Sequence, residues 1–193
     1  DEQQMEELKR QNLQAEMDYL RYQINPHFFM NTLNNIHALI DIDTEYAKSA
    51  VIELSKMMRY VLYESGSETI SLKKDIQFIE NYIELMRIRY DSSIDIRFDY
   101  PDSIPNKVAI PPLLLIVFVE NAFKHGVSYN HASFIHIRIG YRDDAVTAVI
   151  SNSRHEKSRP GTTGIGLENV KKRLAVIYQD NYTLAIDDSD PAV

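Results

Sequence analysis

The sequence predicts an α+β protein in which an N-terminal helical hairpin precedes an α/β sandwich. Up to residue 66 the apolar residues recur at helical spacing, whereas the alternation typical of strands begins only after residue 93. Further helical segments separate the predicted strands, a mixture that favours a sheet with helices on one face. We place the domain boundary near Ser67, with a helical domain over 1–66 and an α/β domain over 67–193.

Composition excludes several classes of function. The 193 residues carry a formal net charge of -7, which disfavours sequence-independent binding to nucleic acid. There is no cysteine, so disulfides and thiolate metal sites are impossible. No apolar run approaches the roughly 18 residues needed to span a membrane, and the acidic N-terminus is unlike a signal peptide. We therefore expect a soluble, intracellular chain without direct nucleic-acid contacts.

The first predicted helix covers residues 1–24 and carries a single apolar stripe. From Leu13 the steps are 4, 3 and 4, the spacing of a coiled-coil seam. One apolar stripe on a lone helix is unstable in water, so the helix needs a partner, either within a hairpin or across a dimer. We favour the dimer. The stripe comprises Met5, Leu8, Leu13, Met17, Leu20 and Ile24.

A second helix is predicted from Asp43 or Thr44, either of which can cap it, to about Ser65, with Gly66 as the stop. Two such hairpins would form a four-helix bundle in a dimer. The residues expected to face inward are Val51, Leu54, Met58, Val61 and Leu62.

The α/β half begins with a third helix capped by Ser71, whose apolar residues follow at steps of 4, 3, 4, 3 and 4 from Leu72 to Tyr90. Strands that look antiparallel are predicted at "IDIRFDY", "FIHIRIGY" and "AVTAVIS", the last two joined by a turn at 142–144. A helix opened by Pro111-Pro112 and closed by Gly126 lies between them. A last helix over 165–178 precedes a strand "YTLAI".

The helix "PPLLLIVFVENAFKHG" (111–126) is the most informative stretch. Its first half is apolar all round, and then Glu120, Asn121, Lys124 and His125 follow. Asn121, Lys124 and His125 stand at i, i+3 and i+4, on one face. An amide oxygen would take Mg²⁺ while the two basic groups meet phosphate oxygens. The alternative is a core helix that simply becomes polar where it reaches solvent.

A second stretch favours the phosphate interpretation. "RPGTTGIGLENVKKRL" (159–174) places Gly161, Gly164 and Gly166 before an amphipathic helix. Glycines let backbone N–H groups approach a phosphate, and a helix N-terminus favours its negative charge. The preceding polar segment has the composition of a loop that closes over a nucleotide.

Together these features resemble the GHKL, or Bergerat, ATP-binding fold. The stretch "QINPHFFMNTLNNI" (23–36) resembles the histidine-containing signature of the LytS-type sensor histidine kinases. "PPLLLIVFVENAFKHG" is similar to that family's N box and "GIGLENVKKRL" (164–174) to its second glycine box. The order and spacing agree, and the resemblance covers essentially the whole chain.

The resemblance implies a role for each matching position. His27 matches the phosphorylated histidine, and Asn121 matches the Mg²⁺-binding asparagine of the N box. Lys124 and His125 are the expected phosphate contacts. Gly164 and Gly166 match the glycines that lie beneath the phosphates of ATP.

The first glycine box departs from the family pattern. Asn152 lies where the family has an adenine-binding aspartate, in a stretch that reads "ISNSRHE" instead of DxGxG. An asparagine oxygen can still accept a hydrogen bond from the adenine amine. Ser151 is an alternative match. The chain also ends before the third glycine-containing segment and final strand that the family carries, so the C-terminal end is expected to be incomplete.

Pro26 and His27 define the proposed reaction centre. A proline inside a helix cannot bond the carbonyl of Tyr22 and would loosen the helix beside the reactive residue. The attacking imidazole nitrogen must be unprotonated, the usual state near pH 7. Phe28 occupies the position where many histidine kinases carry an acid. Glu120 is therefore our candidate base, and Asn25 or Asn31 would orient the ring.

The resemblance implies the cytoplasmic kinase portion of a cell-membrane receptor, a homodimer with an upstream membrane sensor in the same full-length chain. It would phosphorylate His27 from Mg-ATP and pass the phosphate to an aspartate of a response regulator, often a DNA-binding protein of LytTR type. The alternative is a signalling scaffold that binds nucleotide without transferring phosphate. A GHKL ATPase would need a carboxylate at position 117, which is Val117.

Overall fold

The computed structural model describes residues 3–7, 10, 26–90, 93–155 and 165–187. Residues 3–7 and 10 are helical, as predicted. The remainder of the predicted first helix, with its coiled-coil seam, lies outside the described residues. Within the described ranges, no helix is both long and apolar enough to cross a membrane.

Two helices form the predicted hairpin, α1 (Pro26–Ile40) and α2 (Thr44–Arg59). Asp43 caps α2, because its carboxylate accepts a hydrogen bond from the backbone N–H of Tyr46 at 2.9 Å. The buried stripe of α2 differs from the predicted one. It comprises Ala47, Ala50, Leu54 and Met57, whereas Val51, Met58 and Leu62 are 48%, 44% and 66% exposed.

The hairpin continues through a π-helical turn, Tyr60–Glu64, into the α/β half. After β1 (Ile70–Ser71), helix α3 (Leu72–Arg89) begins at a Ser71 cap that accepts a hydrogen bond from the N–H of Lys74 at 3.4 Å. The predicted apolar face of α3 is confirmed, since its residues are nearly all inaccessible to solvent. Those residues are Leu72, Ile76, Ile79, Ile83 and Met86.

The main sheet has the order β2-β4-β5, formed by β2 (Ile94–Asp99), β4 (Ser133–Arg142) and β5 (Ala145–Asn152). All three strands were predicted, but β2 runs parallel to β4, so the expectation of purely antiparallel strands is wrong. The physical reason is the connection over 100–132, which is long enough to cross over the sheet. It contains β3 (Ala109–Ile110), which pairs with β1 in a separate two-stranded sheet.

The hairpin between β4 and β5 turns at Asp143 and Asp144, with φ of 52° and 58°. Two successive positive φ values define the tight turn whose twist matches the flanking strands. The predicted turn is confirmed, and the Tyr141 hydroxyl donates to the carboxylate of Asp144 at 2.8 Å.

Helix α4 (Ile116–Gly126) begins later than predicted. Leu113 has a φ of 61°, which is incompatible with an α-helix, so residues 112–115 form a turn instead of the first helical turn. The proline pair therefore starts a turn ahead of the helix. The predicted end at Gly126 is confirmed.

Helix α5 (Ile165–Tyr178) has the predicted bounds, but the predicted strand "YTLAI" is wrong. Residues 182–186 form no strand. Tyr182 and Leu184 of this segment instead pack against a small core of Leu114, Val170 and Leu174.

One hydrophobic core runs from the hairpin into the sheet. The inner face of the sheet, including Ile135 and Ile137, packs against α4, whose Val119 and Phe123 are 1% and 2% exposed. Because α4 is held at the centre of this core, its polar C-terminal half emerges at one defined place.

Candidate functional site

His27 lies in the first turn of the described part of α1 and is exposed. Pro26 is the first described residue of that helix. The predicted loosening at Pro26 depends on Tyr22, which lies outside the described residues.

The orientation of α1 leaves His27 on a flank of the helix. Each residue advances by about 100° around a helix. Phe28, Thr32 and Ile36 point into the protein, whereas Met30 and Leu33 lie on the opposite, exposed side, at 59% and 49% exposure. His27 therefore lies between the packed face and the exposed apolar face. Its side chain is accessible to solvent.

The polar half of α4 carries the predicted phosphate-binding residues. Asn121 and His125 are half-buried and Lys124 is exposed. Burial, followed by the charge of Lys124, lowers the pKa of His125 below its ordinary value. His125 is thus neutral near pH 7, so it would meet a phosphate as a hydrogen-bond donor and leave the positive charge to Lys124.

Glu120 is half-buried at the start of this polar half. Burial raises the pKa of its carboxyl group to about 7. A carboxyl group with this pKa takes up and releases protons near neutral pH, which is the property of a general base.

The end of β5 meets the end of α4. A Cβ placed on Gly126 would lie only 2.6 Å from the Cβ of Asn152, so glycine is required there. Asn152 is half-buried and donates to the carbonyl of Ser153 at 2.8 Å. Ser151, the alternative adenine contact, is exposed and pairs with His136 of β4.

A hydrogen-bond network stabilises the contact between the end of β5 and the end of α4. The sequence did not indicate this network. The buried Ser153 hydroxyl donates to the carbonyl of Gly126 at 2.5 Å and accepts from the N–H of Phe134 at 3.1 Å. His155 lies beside it, with Nε2 at 3.2 Å from the Ser133 hydroxyl. The two partners of each of these hydrogen bonds are about 20 positions apart or more, so no spacing in the sequence could indicate them.

The glycine segment approaches α4 from its other side. Gly164 lies outside the described residues, but Gly166 opens α5 with its backbone near Val117, where an added Cβ would be 3.5 Å from Cγ1. Val117 is one helical turn before Asn121. Helix α4 is therefore flanked by Gly166 and by Asn152, both of which lie far from it in sequence.

The donor types in this cluster suit a magnesium nucleotide. Mg²⁺ typically takes one or two protein oxygens and completes its shell with phosphate oxygens and water. The Asn121 amide supplies such an oxygen. Among the described residues, no group of three or more His, Cys, Asp or Glu side chains could hold a metal ion unaided.

Comparisons with known proteins show the family to which the chain belongs. The model of the histidine kinase family matches residues 15–94. The chain is 33% identical over 189 residues to the sensor protein LytS of Staphylococcus saprophyticus, which covers 89% of this chain and 31% of that protein. It is 32% identical over 189 residues to the sensor histidine kinase/phosphatase LytS of Staphylococcus aureus (strain MRSA252), covering 90% and 32%.

A third similar protein is the sensor protein LytS of Oceanobacillus iheyensis, 28% identical over 202 residues, covering 96% of this chain and 34% of that protein. The chain thus spans about a third of the length of its curated relatives. It belongs to the histidine kinase family. Within that family it is of the LytS type.

Proposed function

We propose that this chain is the kinase region of a sensor histidine kinase, which phosphorylates His27 from Mg-ATP. The observation that carries the proposal is the convergence of three distant motifs on α4. Gly126 contacts Asn152, and Gly166 lies beside Val117, so the polar residues of α4 lie between two elements suited to a nucleotide. The exposed His27 supplies an acceptor.

We assign the nucleotide contacts by position. Asn121 would bind Mg²⁺, Lys124 and His125 the phosphates, and Asn152 the adenine, because Asn152 faces α4 whereas Ser151 is exposed on the sheet. Gly164 and Gly166 would approach the phosphates with their backbone. In this arrangement 67–193 form a GHKL-type sandwich and 1–66 the helical domain.

The transfer step follows from these roles. The unprotonated ring nitrogen of His27 attacks the γ-phosphorus, the bond to the bridging oxygen breaks, and ADP leaves with the electron pair. The proton on the other ring nitrogen is released, with Glu120 as its acceptor. Bound Mg²⁺ would neutralise charge on the phosphate oxygens. Lys124 provides a second positive charge.

A homodimer is supported by exposed apolar side chains on the hairpin. An uncovered patch of this kind marks an interface, and a second hairpin would complete a four-helix bundle. Leu33→Lys should convert the dimer to a monomer in sedimentation, whereas Lys107→Ala, at an exposed position of the α/β half, should not. The patch comprises Met30, Leu33, Ile40, Val51, Ile52, Met58, Leu62 and Tyr63.

In the full-length protein, we propose that this region is cytoplasmic, attached to an upstream membrane sensor. The helix over 1–24 would relay the signal. A response regulator, of LytTR type by the family resemblance, would take the phosphate on an aspartate. DNA contacts would belong to that partner, since this chain is acidic.

A nucleotide-binding scaffold is the second candidate. It is favoured by the reduced first glycine box, where Asn152 donates to the backbone of Ser153, and by Phe28 in place of an acid after His27. Such a scaffold would bind ATP without labelling His27.

The test is incubation of the purified chain with Mg-[γ-³²P]ATP, followed by mapping of acid-labile phosphate. We expect label on the peptide containing His27, none in His27→Asn, and none in Asn121→Asp. Binding of a fluorescent ATP analogue is measured in parallel. Nucleotide binding by the wild-type chain without any label would favour the scaffold over the kinase.

A further inference from the structure

An aromatic stack joins the turn that contains His27 to the nucleotide-binding helix of the same chain. The ring of Phe28 stacks on Tyr82 of α3, with centroids 4.9 Å apart and planes at 30°. Tyr82 in turn meets Phe123 of α4 edge-to-face, with centroids 5.7 Å apart. Both geometries are favourable arrangements for aromatic pairs.

The stacked rings are buried or half-buried, whereas the neighbouring reactive residue is exposed. Tyr82 and Phe123 are 4% and 2% exposed, and Phe28 is half-buried. His27, one residue earlier, is exposed. Because adjacent residues differ by about 100° around a helix, fixing Phe28 also fixes the direction in which His27 points.

Tyr82 contacts α4 on the side that also carries its acidic residue. Burial, followed by the charge of Glu120, raises the pKa of the Tyr82 hydroxyl. Glu120 and Phe123 are three residues apart and therefore lie on the same side of α4. One buried ring thus contacts the helix of the phosphoacceptor and the side of α4 that carries the candidate base.

We infer that Phe28 and Tyr82 are positioning residues for phosphoryl transfer within one chain. Their stacked rings hold the turn of α1 that contains His27 against the nucleotide-binding helix of the same molecule. Neither side chain takes part in bond making, but together they set the approach of His27. The inference rests on the proposed kinase function.

The stack supports transfer within a chain because it holds the turn that contains His27 against α3 and α4 of its own chain. The exposed apolar face of α1, which we assign to the dimer, lies on the opposite side of the helix from Phe28. Dimerisation therefore leaves the stack in place. A small displacement of a reacting group can cost about 100-fold in rate. The position of Phe28 on Tyr82 would therefore control the rate of phosphoryl transfer to His27.

Four single substitutions test the role. Phe28→Leu and Tyr82→Leu should lower the rate of His27 labelling at saturating Mg-ATP by about tenfold or more, while ATP affinity changes less than about twofold. Tyr82→Phe keeps the ring and should retain the wild-type rate within about twofold. Phe29→Leu removes a half-buried ring from the same turn that contacts Phe28 but makes no stack with Tyr82, and should also be near wild type.

Each outcome has a defined meaning. Labelling at the wild-type rate in Phe28→Leu, or equal losses in rate and in ATP affinity, would overturn the positioning role while leaving the kinase assignment intact. An unlabelled wild-type chain would instead overturn the kinase assignment and this inference with it. If Tyr82→Leu fails to fold in a thermal melt, Phe28→Leu decides, since Phe28 is only half-buried.

Heterodimers test the restriction to one chain. A chain with His27→Asn and a differently tagged chain with Asn121→Asp are combined, and the mixed dimer is isolated by both tags. Transfer within a chain predicts no label. Label on the Asn121→Asp chain would show transfer across the dimer and overturn the inference.

Discussion

Two carboxyl groups removed from water, Asp75 on α3 and Glu120 on α4, have opposite surroundings. Asp75 is 0% exposed and accepts a hydrogen bond from the Tyr60 hydroxyl at 2.7 Å. Burial raises its pKa to about 6, against the opposing effects of that bond, the Leu113 backbone and the charge of Arg173. For Glu120 burial is the cause that raises the pKa to about 7, and no charge among the described residues offsets it.

The difference separates a structural carboxyl group from a chemically available one. Asp75 joins the π-helical turn that contains Tyr60 to α3, so its partners tie the hairpin to the α/β half. Glu120 lies among the polar residues of α4 without comparable support. Carboxyl groups with a raised pKa and few structural partners cluster at active sites, so Glu120, beside the candidate phosphate site, is the reactive group of the two.

Exchanging Glu120 for glutamine should have the largest effect. Glu120→Gln removes the base with little change in shape, and we expect the rate of His27 labelling at saturating ATP to fall by about 100-fold. Nucleotide affinity should stay within about twofold, as measured with a fluorescent ATP analogue. Asp75→Asn is the matched control, with a rate within a few-fold of wild type. An undiminished rate in Glu120→Gln would remove Glu120 from the mechanism.

Removing the partner of Asp75 should affect stability instead. Tyr60→Phe removes the side-chain donor to a buried carboxyl group, and we expect a loss of about 2 kcal/mol in the free energy of unfolding. Urea denaturation measures this loss. Tyr63→Phe, in the same π-helical turn but 79% exposed, serves as the control and should change stability by less than about 0.5 kcal/mol. Equal losses of stability in the two variants would show that the Tyr60–Asp75 hydrogen bond does not stabilise the fold.

The pH dependence of labelling should reflect Glu120. A base must be ionised, so a carboxyl group with a pKa of about 7 makes the rate rise as the pH increases through 7. Between pH 6 and 8 the ionised fraction grows by about tenfold, and we expect a similar increase in the rate at saturating Mg-ATP. Labelling of Glu120→Gln over the same range shows how much of the rise belongs to Glu120. A wild-type profile that parallels that of the variant would contradict the assignment.

The smallest effect is expected in the pH dependence of stability. The folded-state pKa of Asp75 lies above its ordinary value of 3.8, so the folded protein holds the proton more tightly and loses stability as the pH rises through the interval up to about 6. Relative to Asp75→Asn, which cannot ionise, the wild type should lose about 1 kcal/mol between pH 5 and pH 7. Denaturation at both pH values measures the difference, and identical pH dependence in the two proteins would contradict it.

Local patterns predicted most of the elements because they depend on neighbouring residues. The α3 face repeats at helical spacing and is buried, Asp43 and Ser71 cap their helices, and the strands alternate as expected. The candidate site residues on α4 were also evident, since their spacing places them on one face. The alternation says nothing of a strand's direction, which is why the parallel pairing of β2 with β4 was missed.

The amino-acid sequence by itself determined the helices, the caps and the three motifs, because each depends on periodicity or on residues close together along the chain. Only the tertiary structure decided which groups meet. It placed Asn152 against Gly126, Phe28 on Tyr82, and Tyr60 on Asp75. It also decided which carboxyl group retains hydrogen-bonding support, because burial and partners arise from packing between elements that lie far apart in the sequence.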